Sequence, residues 1–184
     1  MFAPIPETAW WPRYWALVSV LVSACDRDIE DLVGEPRVAI VEQYLAQNAK
    51  NVEHRVETLI ERAKQRVSLR NSGSLTTKQQ AELSDQRDLS AGLSYSEFVE
   101  CPACGDQGIL EGDTVVAAEM RYDHVSENDY DFWADLDVAV DRFSCNNCRL
   151  VLDGYDLLEK AGLPPSISAV DDNPDYPEPD YGND

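Results

Sequence analysis

The chain has 184 residues, 43% of them hydrophobic and 27% charged, which is enough for one ordinary domain or for a small domain with a long extension. Its formal net charge is −20, and the excess is uneven: residues 1–100 hold 11 basic and 15 acidic side chains, whereas residues 101–184 hold 4 and 20. Because nucleic-acid affinity comes mainly from Lys and Arg side chains that displace counterions, this balance disfavours direct nucleic-acid binding but not a basic protein partner.

Residues 12–33 have the periodicity of one amphipathic helix. Pro12 suits the first helical position, and Gly34 can adopt the left-handed conformation that ends a helix. The apolar residues recur at steps of three and four, which places them on one stripe. The stripe consists of Tyr14, Val18, Leu21, Cys25, Ile29 and Leu32.

A second helix is predicted from Pro36 to the turn at residues 71–73, with a length of roughly 50 Å. Its stripe consists of Val38, Val41, Leu45, Ala49, Val52, Val56, Leu59, Ala63 and Val67. With only Gly34 and Glu35 between the two helices, we expect an antiparallel helical hairpin over residues 1–73. Two helices bury too little apolar surface to be stable alone, so we expect a third element, a protein partner or self-association to cover the rest.

Residues 74–94 are polar and are predicted to connect the helical half to the second half. Thr76 or Thr77 is a candidate N-cap, with Gln79 or Gln80 three residues later, which favours a short helix over residues 78–88.

Two Cys-x-x-Cys pairs indicate a metal site. Each pair, Cys101 with Cys104 and Cys145 with Cys148, places two thiolates on one short turn, and Gly105 allows that turn in the first pair. Four thiolates fill a tetrahedral zinc shell and leave no position for water, which is typical of a structural site. We therefore expect one structural zinc ion per chain.

These two pairs make residues 95–160 resemble the zinc-ribbon class, with knuckles similar to those of rubredoxin-like domains, and we assign the zinc-ribbon domain to residues 95–163. The resemblance implies that the four cysteines bind zinc, and it implies no substrate. The second knuckle lacks both the Pro and the Gly of the first, which weakens the case for iron and redox chemistry.

The 40 residues between the pairs are predicted to form a β-hairpin, because apolar residues alternate with polar ones along two stretches. The predicted apolar faces consist of Val116, Ala118, Met120 and Tyr122 on one strand and of Ala134, Leu136, Val138 and Val140 on the other. Residues 123–131 are assigned to the turn. Asp135, Asp137 and Asp141 are assigned to the solvated face rather than to a nuclease site, since no Lys lies between Lys78 and Lys160.

Residues 164–184 are rich in Pro, Asp and Tyr, and the triplet Pro-Asp-Tyr occurs at residue 174 and again at residue 179. Such a composition buries too little apolar surface to order itself, so an acidic tail is predicted here. The alternative is a linear peptide whose tyrosines dock on a partner.

The remaining candidate residues favour no enzyme. His54 and His124 have no Ser, Cys or carboxylate at a spacing that suggests a triad, and no Gly-rich phosphate loop is present. Cys25 is interpreted as a small core side chain of the first helix. Trp10, Trp11 and Trp15 are interpreted as packing residues, or as an exposed aromatic anchor for a partner.

The cysteine pattern favours a reducing compartment, so cytoplasmic location is predicted. Residues 22–25 (Val-Ser-Ala-Cys) also match a bacterial lipoprotein cleavage site, but the first thirteen residues hold one Arg and one Glu rather than a basic cluster. No uninterrupted apolar stretch reaches the ~18 residues that span a bilayer, so no membrane contact is expected.

The sequence therefore predicts an α+β protein: a helical hairpin, a connector, a small β zinc-ribbon domain and an acidic tail. The function expected is that of a non-enzymatic adaptor or accessory subunit in a prokaryotic or phage cytoplasm, acting through protein–protein interaction. The alternative is an acidic inhibitor that imitates nucleic acid and occupies the basic groove of a DNA- or RNA-binding protein.

Overall fold

The computed structural model describes residues 7–77, 80, 88–126 and 129–172. The helix predicted over residues 78–88 lies almost wholly outside this part of the chain, as do residues 173–184 of the predicted tail. The chain divides into two compact units, residues 1–58 and 59–184. The division falls inside the longest helix rather than at the predicted connector.

The first unit begins with helix α1 (Glu7–Ala24), followed by the short α2 (Ile29–Val33). The prediction of a single helix over residues 12–33 was therefore wrong, because α1 begins before Pro12 and the helix is interrupted after Ala24, although the helical segment does end at Val33, before Gly34. Pro12 lies inside α1 and is buried. After Ala24 the chain turns, because Asp26 adopts a positive φ of 53°, a conformation that Asp tolerates better than most residues. The N–H of Asp28 then donates to the Asp31 carboxylate (3.4 Å) at the start of α2.

Helix α3 (Glu35–Asn71) follows Gly34, whose φ is 76°. Its 37 residues give a length of about 55 Å, and it ends where predicted, with Gly73 at a φ of 67°. α1 and α3 pack together, and the rings of Trp11 and Tyr44 stack with centroids 6.2 Å apart. Three residues of the predicted stripe, Val41, Val56 and Ala63, are almost completely buried.

In its described residues, the second unit contains the end of α3, two small antiparallel sheets and one short helix. The first sheet has the order β1-β2-β5-β6 and the second the order β3-β4-β7. The bounds are β1 Tyr95–Glu100, β2 Gln107–Gly112, β3 Thr114–Ser126, β4 Asp129–Ala139, β5 Arg142–Cys145, β6 Leu150–Asp153, α4 Tyr155–Lys160 and β7 Ser166–Asp171. The α+β class is thereby confirmed.

The core of the first sheet forms around large apolar side chains that are all but inaccessible to solvent. They are Leu110, Phe143, Leu150, Leu152 and Leu158. Gly108 permits the close packing of Phe143, because a Cβ at this glycine would lie 2.4 Å from the Phe143 ring. Since Gly108 lies in β2 and Phe143 in β5, this contact holds together the two central strands of the sheet.

The predicted hairpin between the two cysteine pairs is confirmed as β3 and β4, which pair over almost their full length. The strands extend to Ser126 and Asp129, so the turn is shorter than the predicted residues 123–131. The apolar face of β4 is buried as predicted, with Val138 at 0% exposure. The face predicted for β3 is exposed instead, since Val116, Met120 and Tyr122 retain 60%, 41% and 71% of their surface.

Strand β7 lies inside the range assigned to the acidic tail. It pairs with β4 over six residues, and Ile167 is only 2% exposed. Local composition is dominated by the Asp and Pro residues around this segment and does not reveal that a neighbouring strand supplies its hydrogen bonds. The part of the chain that composition assigned to the tail therefore contributes an ordered strand up to Asp171.

A candidate four-cysteine metal centre

The strand order explains how two knuckles that are 41 residues apart meet. Cys101 and Cys104 lie in the turn between β1 and β2, and Cys145 and Cys148 lie at the turn between β5 and β6. β2 and β5 are antiparallel neighbours, with Leu110 opposite Phe143. The start of β2 therefore lies beside the end of β5, and both turns are at the same end of the sheet.

The four sulfur atoms form a compact, buried cluster. All four Sγ atoms lie within 4.8 Å of one another. The Sγ atoms of Cys101 and Cys148 are 3.6 Å apart, and those of Cys104 and Cys145 are 3.7 Å apart. A disulfide would require about 2.05 Å, whereas a regular tetrahedron with metal–sulfur bonds of ~2.3 Å has sulfur–sulfur edges of ~3.8 Å. The cluster can hold one metal ion.

In both knuckles the residue directly after the second cysteine has a positive φ, although the two sequences differ. In the first, the N–H of Ala103 donates to the Cys101 sulfur (3.4 Å), and Gly105 has a φ of 70°. In the second, Arg149 occupies the equivalent place after Cys148 and has a φ of 59°. An L-residue in this conformation costs roughly 1–2 kcal/mol, so the absent glycine is replaced at a local energetic cost.

Three of the four thiols have pKa values that depart from the ordinary value of a thiol in different directions. Hydrogen bonding to Cys148 lowers the pKa of Cys101 to about 5. The same hydrogen bond, together with burial, raises the pKa of Cys148 far above that of a free thiol. Burial raises the pKa of Cys145 to about 11. A divalent cation bound among the four sulfur atoms would favour the deprotonated form of each thiol.

The second knuckle also binds other parts of this unit through its two asparagines. Arg70, near the end of α3, donates to the backbone O of Asn147 (3.0 Å) and to its Oδ1 (2.6 Å). Asn146 accepts a hydrogen bond from the N–H of Leu89 (3.0 Å) and donates to the Asp88 carboxylate (2.9 Å). These roles were missed in the sequence, where only the absence of Pro and Gly was noted.

A buried carboxylate fixes the end of the connector to the sheet. Glu111 in β2 is 1% exposed. It accepts hydrogen bonds from the Ser90 hydroxyl (2.7 Å), the N–H of Ala91 (2.9 Å) and the N–H of Gly92 (2.8 Å). Burial alone would raise the pKa of Glu111, but these donors outweigh it and lower the pKa below its ordinary value. Nothing in the local sequence pattern singles out this residue.

The other candidates are not brought into a common site. Cys25 is exposed and is not a core side chain, which corrects the sequence prediction. His54 and His124 are also exposed. Trp10 and Trp11 stack with centroids 4.2 Å apart, and Trp10 retains 40% of its surface.

The aspartates of the second sheet are divided between its two faces. Asp137 is exposed, and Asp135 accepts a hydrogen bond from Arg121 (3.0 Å). Asp171 lies opposite Ala134 in the register, so it is on the other face from Asp135 and Asp137.

Comparisons with protein families, with curated proteins and with solved structures found no match. In the part of the chain that the structure describes, no helix combines the length and the apolar character needed to cross a bilayer.

Proposed function

We propose that Cys101, Cys104, Cys145 and Cys148 bind one structural zinc ion, and that the protein is a non-enzymatic adaptor or accessory subunit acting in a prokaryotic or phage cytoplasm. The support for zinc is the tetrahedral spacing of four largely buried sulfur atoms. Four thiolates complete the coordination shell of zinc, so no position remains for a substrate or a reactive water. The role of the ion is then to join the two knuckles of the sheet.

The single observation that supports an adaptor is the exposed apolar surface of α1. Trp10, Tyr14, Leu17 and Leu21 retain between 40% and 58% of their surface. They are spaced at four, three and four residues, which is the spacing of a helix–helix seam. Exposed apolar area of this kind costs about 25 cal/mol per Å² until a partner covers it.

A nucleic-acid mimic is less well supported. The acidic residues of β4 and β7 do not share one surface, since Asp135 and Asp137 lie on one face of the second sheet and Asp171 lies on the other. Arg121 also neutralises part of the first face through Asp135.

The zinc proposal is tested by metal analysis of the purified chain. We expect about one zinc ion per chain, and we expect a chelator to unfold residues 101–148 first, because zinc binding supplies roughly 10 kcal/mol or more to such sites. Cys101→Ser is expected to have the same effect as the chelator. An iron-coloured protein, or a metal-free one with the same fold, would refute the assignment.

The adaptor proposal is tested by affinity purification of the full chain from its host. We expect a stoichiometric protein that is lost when Leu17 and Leu21 are both replaced by Lys. The control replaces Gln43 and Gln47 by Lys, because both are exposed on α3 and introduce the same charge. A partner retained by the leucine variant, or steep weakening between low and physiological salt, would contradict binding through an apolar face.

A further inference from the structure

Strand β3 is a long unprotected edge of the second sheet. The sheet has the order β3-β4-β7, so only one side of β3 is paired. Every residue from Thr114 to His124 is exposed, and none of the described strands pairs with the outer side. An edge of this kind presents a row of unpaired N–H and C=O groups to any extended chain that approaches it.

The two faces of this edge differ in chemistry. Residues opposite each other in the register point to the same side, so one face combines Glu119 and Asp123 of β3 with acidic residues of β4. The acidic residues of this face are Glu119, Asp123, Asp131, Asp135 and Asp137. The basic residue on the same face is Arg121, opposite Trp133.

Like charges are held opposite each other on this acidic face. Glu119 faces Asp135, and Arg121 bridges them at 2.9 and 3.0 Å. Asp123 faces Asp131, and no ion pair within the described residues joins either of them to a basic side chain. Directly opposed like charges destabilise a sheet. A cationic side chain of a partner placed beside Asp123 and Asp131 would therefore reduce the repulsion between these two carboxylates.

The opposite face of the same edge is apolar. Ala118 lies opposite Leu136, and Met120 lies opposite Ala134. Met120 retains 41% of its surface, although Ala134 beside it is only 2% exposed. A strand added to β3 would therefore meet carboxylates on one side and apolar side chains on the other.

We propose that the outer edge of β3 binds an extended basic segment of a protein partner, in which Lys or Arg alternates with apolar residues. The segment adds as a further strand of the second sheet, with its cations beside Glu119 and Asp123 and its apolar residues beside Ala118 and Met120. Main-chain hydrogen bonds supply affinity, and the alternation supplies specificity. This site goes beyond the proposed function because it is separate from α1 and defines the chemistry of its ligand.

Charge argues against two other occupants. A second copy of the chain would place Glu119 and Asp123 next to the same residues of its own kind, which costs energy. Residues 173–184 carry acidic residues and three prolines, so they repel the acidic face and lack several N–H donors.

The test uses the zinc-loaded full chain and a fluorescent peptide of about ten residues in which Lys and Val alternate. There are three control peptides. The first has Glu in place of Lys, the second has its Lys and Val residues in two separate blocks, and the third keeps the alternating sequence but has N-methyl groups along one edge. We expect the alternating Lys peptide to bind at least about tenfold more tightly than each control. Equal binding of the block or N-methylated peptide would reduce the interaction to charge alone and overturn the proposal.

Protein variants locate the site. Asp123→Asn with Asp131→Asn should weaken peptide binding by about three- to tenfold, because two carboxylates near the ligand are neutralised. The matched control, Glu97→Gln with Glu100→Gln on the exposed edge strand β1, should change it less than about twofold. The β3 site would be refuted if the two double variants weakened peptide binding equally, or if the alternating Lys peptide did not bind at all. It would also be refuted if the chain formed a concentration-dependent dimer that the peptide does not dissociate. If the affinity purification found no partner that depends on Leu17 and Leu21, the peptide-binding result at β3 would not be affected.

Discussion

Replacing Glu111 with Gln removes a buried charge while keeping the size of the side chain. In the native chain one carboxylate oxygen accepts from the Ser90 hydroxyl at 2.7 Å and the Gly92 N–H at 2.8 Å, and the other accepts from the Ala91 N–H at 2.9 Å. A glutamine keeps only one acceptor oxygen. Its NH₂ group must then face an N–H donor, so at least one of these hydrogen bonds is lost.

The expected cost follows from the contacts. A hydrogen bond to a charged group contributes about 1.5–3 kcal/mol, and an unsatisfied buried donor costs about 1–3 kcal/mol. We therefore expect Glu111→Gln to lower the free energy of unfolding of the second unit by about 2–4 kcal/mol at pH 7. The control is Glu97→Gln, an exposed residue of β1, for which we expect a change within about 0.5 kcal/mol.

The effect must also depend on pH with a definite sign. The pKa of Glu111 is lower in the folded chain than its ordinary value, so its contribution is fully present above the unfolded pKa of ~4.3. It is lost as pH falls from there through the folded pKa. The difference between wild type and Glu111→Gln should therefore shrink below about pH 4, by at most about 1.4 kcal/mol per pH unit.

Two measurements check this prediction on the zinc-loaded full chain. Urea unfolding at several pH values gives the free energy of unfolding, and hydrogen exchange of residues 90–93 reports the local hydrogen bonds. We expect faster exchange in this segment for Glu111→Gln and unchanged exchange for Glu97→Gln. A variant as stable as wild type, or a stability difference that is the same at pH 7 and pH 3, would refute the role assigned to the carboxylate.

Three further predictions concern the metal centre and its supports. Gly108→Ala should destabilise the first sheet by about 1–3 kcal/mol and lower its melting temperature, because the added Cβ would overlap the Phe143 ring; an unchanged melting curve would contradict this packing. Arg70→Ala should speed hydrogen exchange at the second knuckle, while Arg62→Ala, an exposed change on the same helix, should not. Adding a chelator at neutral pH should leave Cys145 and Cys148 protonated and the sheet destabilised, which thiol titration and circular dichroism can measure.

The four-cysteine cluster is the feature that was best predicted from sequence. A Cys-x-x-Cys pair encodes its own geometry, because two thiols on one tight turn point the same way whatever surrounds them. The meeting of the two pairs needed only an antiparallel arrangement of the strands that carry them. The ends of α3 were also local properties, since Gly34 and Gly73 both adopt a positive φ.

Features that depend on contacts between distant residues were not predictable. Cys25 has the helical spacing of a core residue, yet the turn at Asp26 interrupts the helix and leaves the thiol exposed. β7 is ordered because β4 lies beside it. Glu111 appears in the sequence as one acidic residue among 35 acidic side chains, and only the folded chain shows that it accepts hydrogen bonds from residues 90–92.

The sequence by itself thus determined the long helix α3, the β-hairpin and the two Cys-x-x-Cys pairs, because each depends on residues close together in the chain. The tertiary structure decided which strand is an edge, that both faces of β3 remain exposed and which carboxylate is buried. Those properties depend on the strand order β3-β4-β7 and on the pairing of β2 with β5. These properties result from packing and desolvation between residues that are far apart in sequence. A local sequence pattern therefore does not predict them.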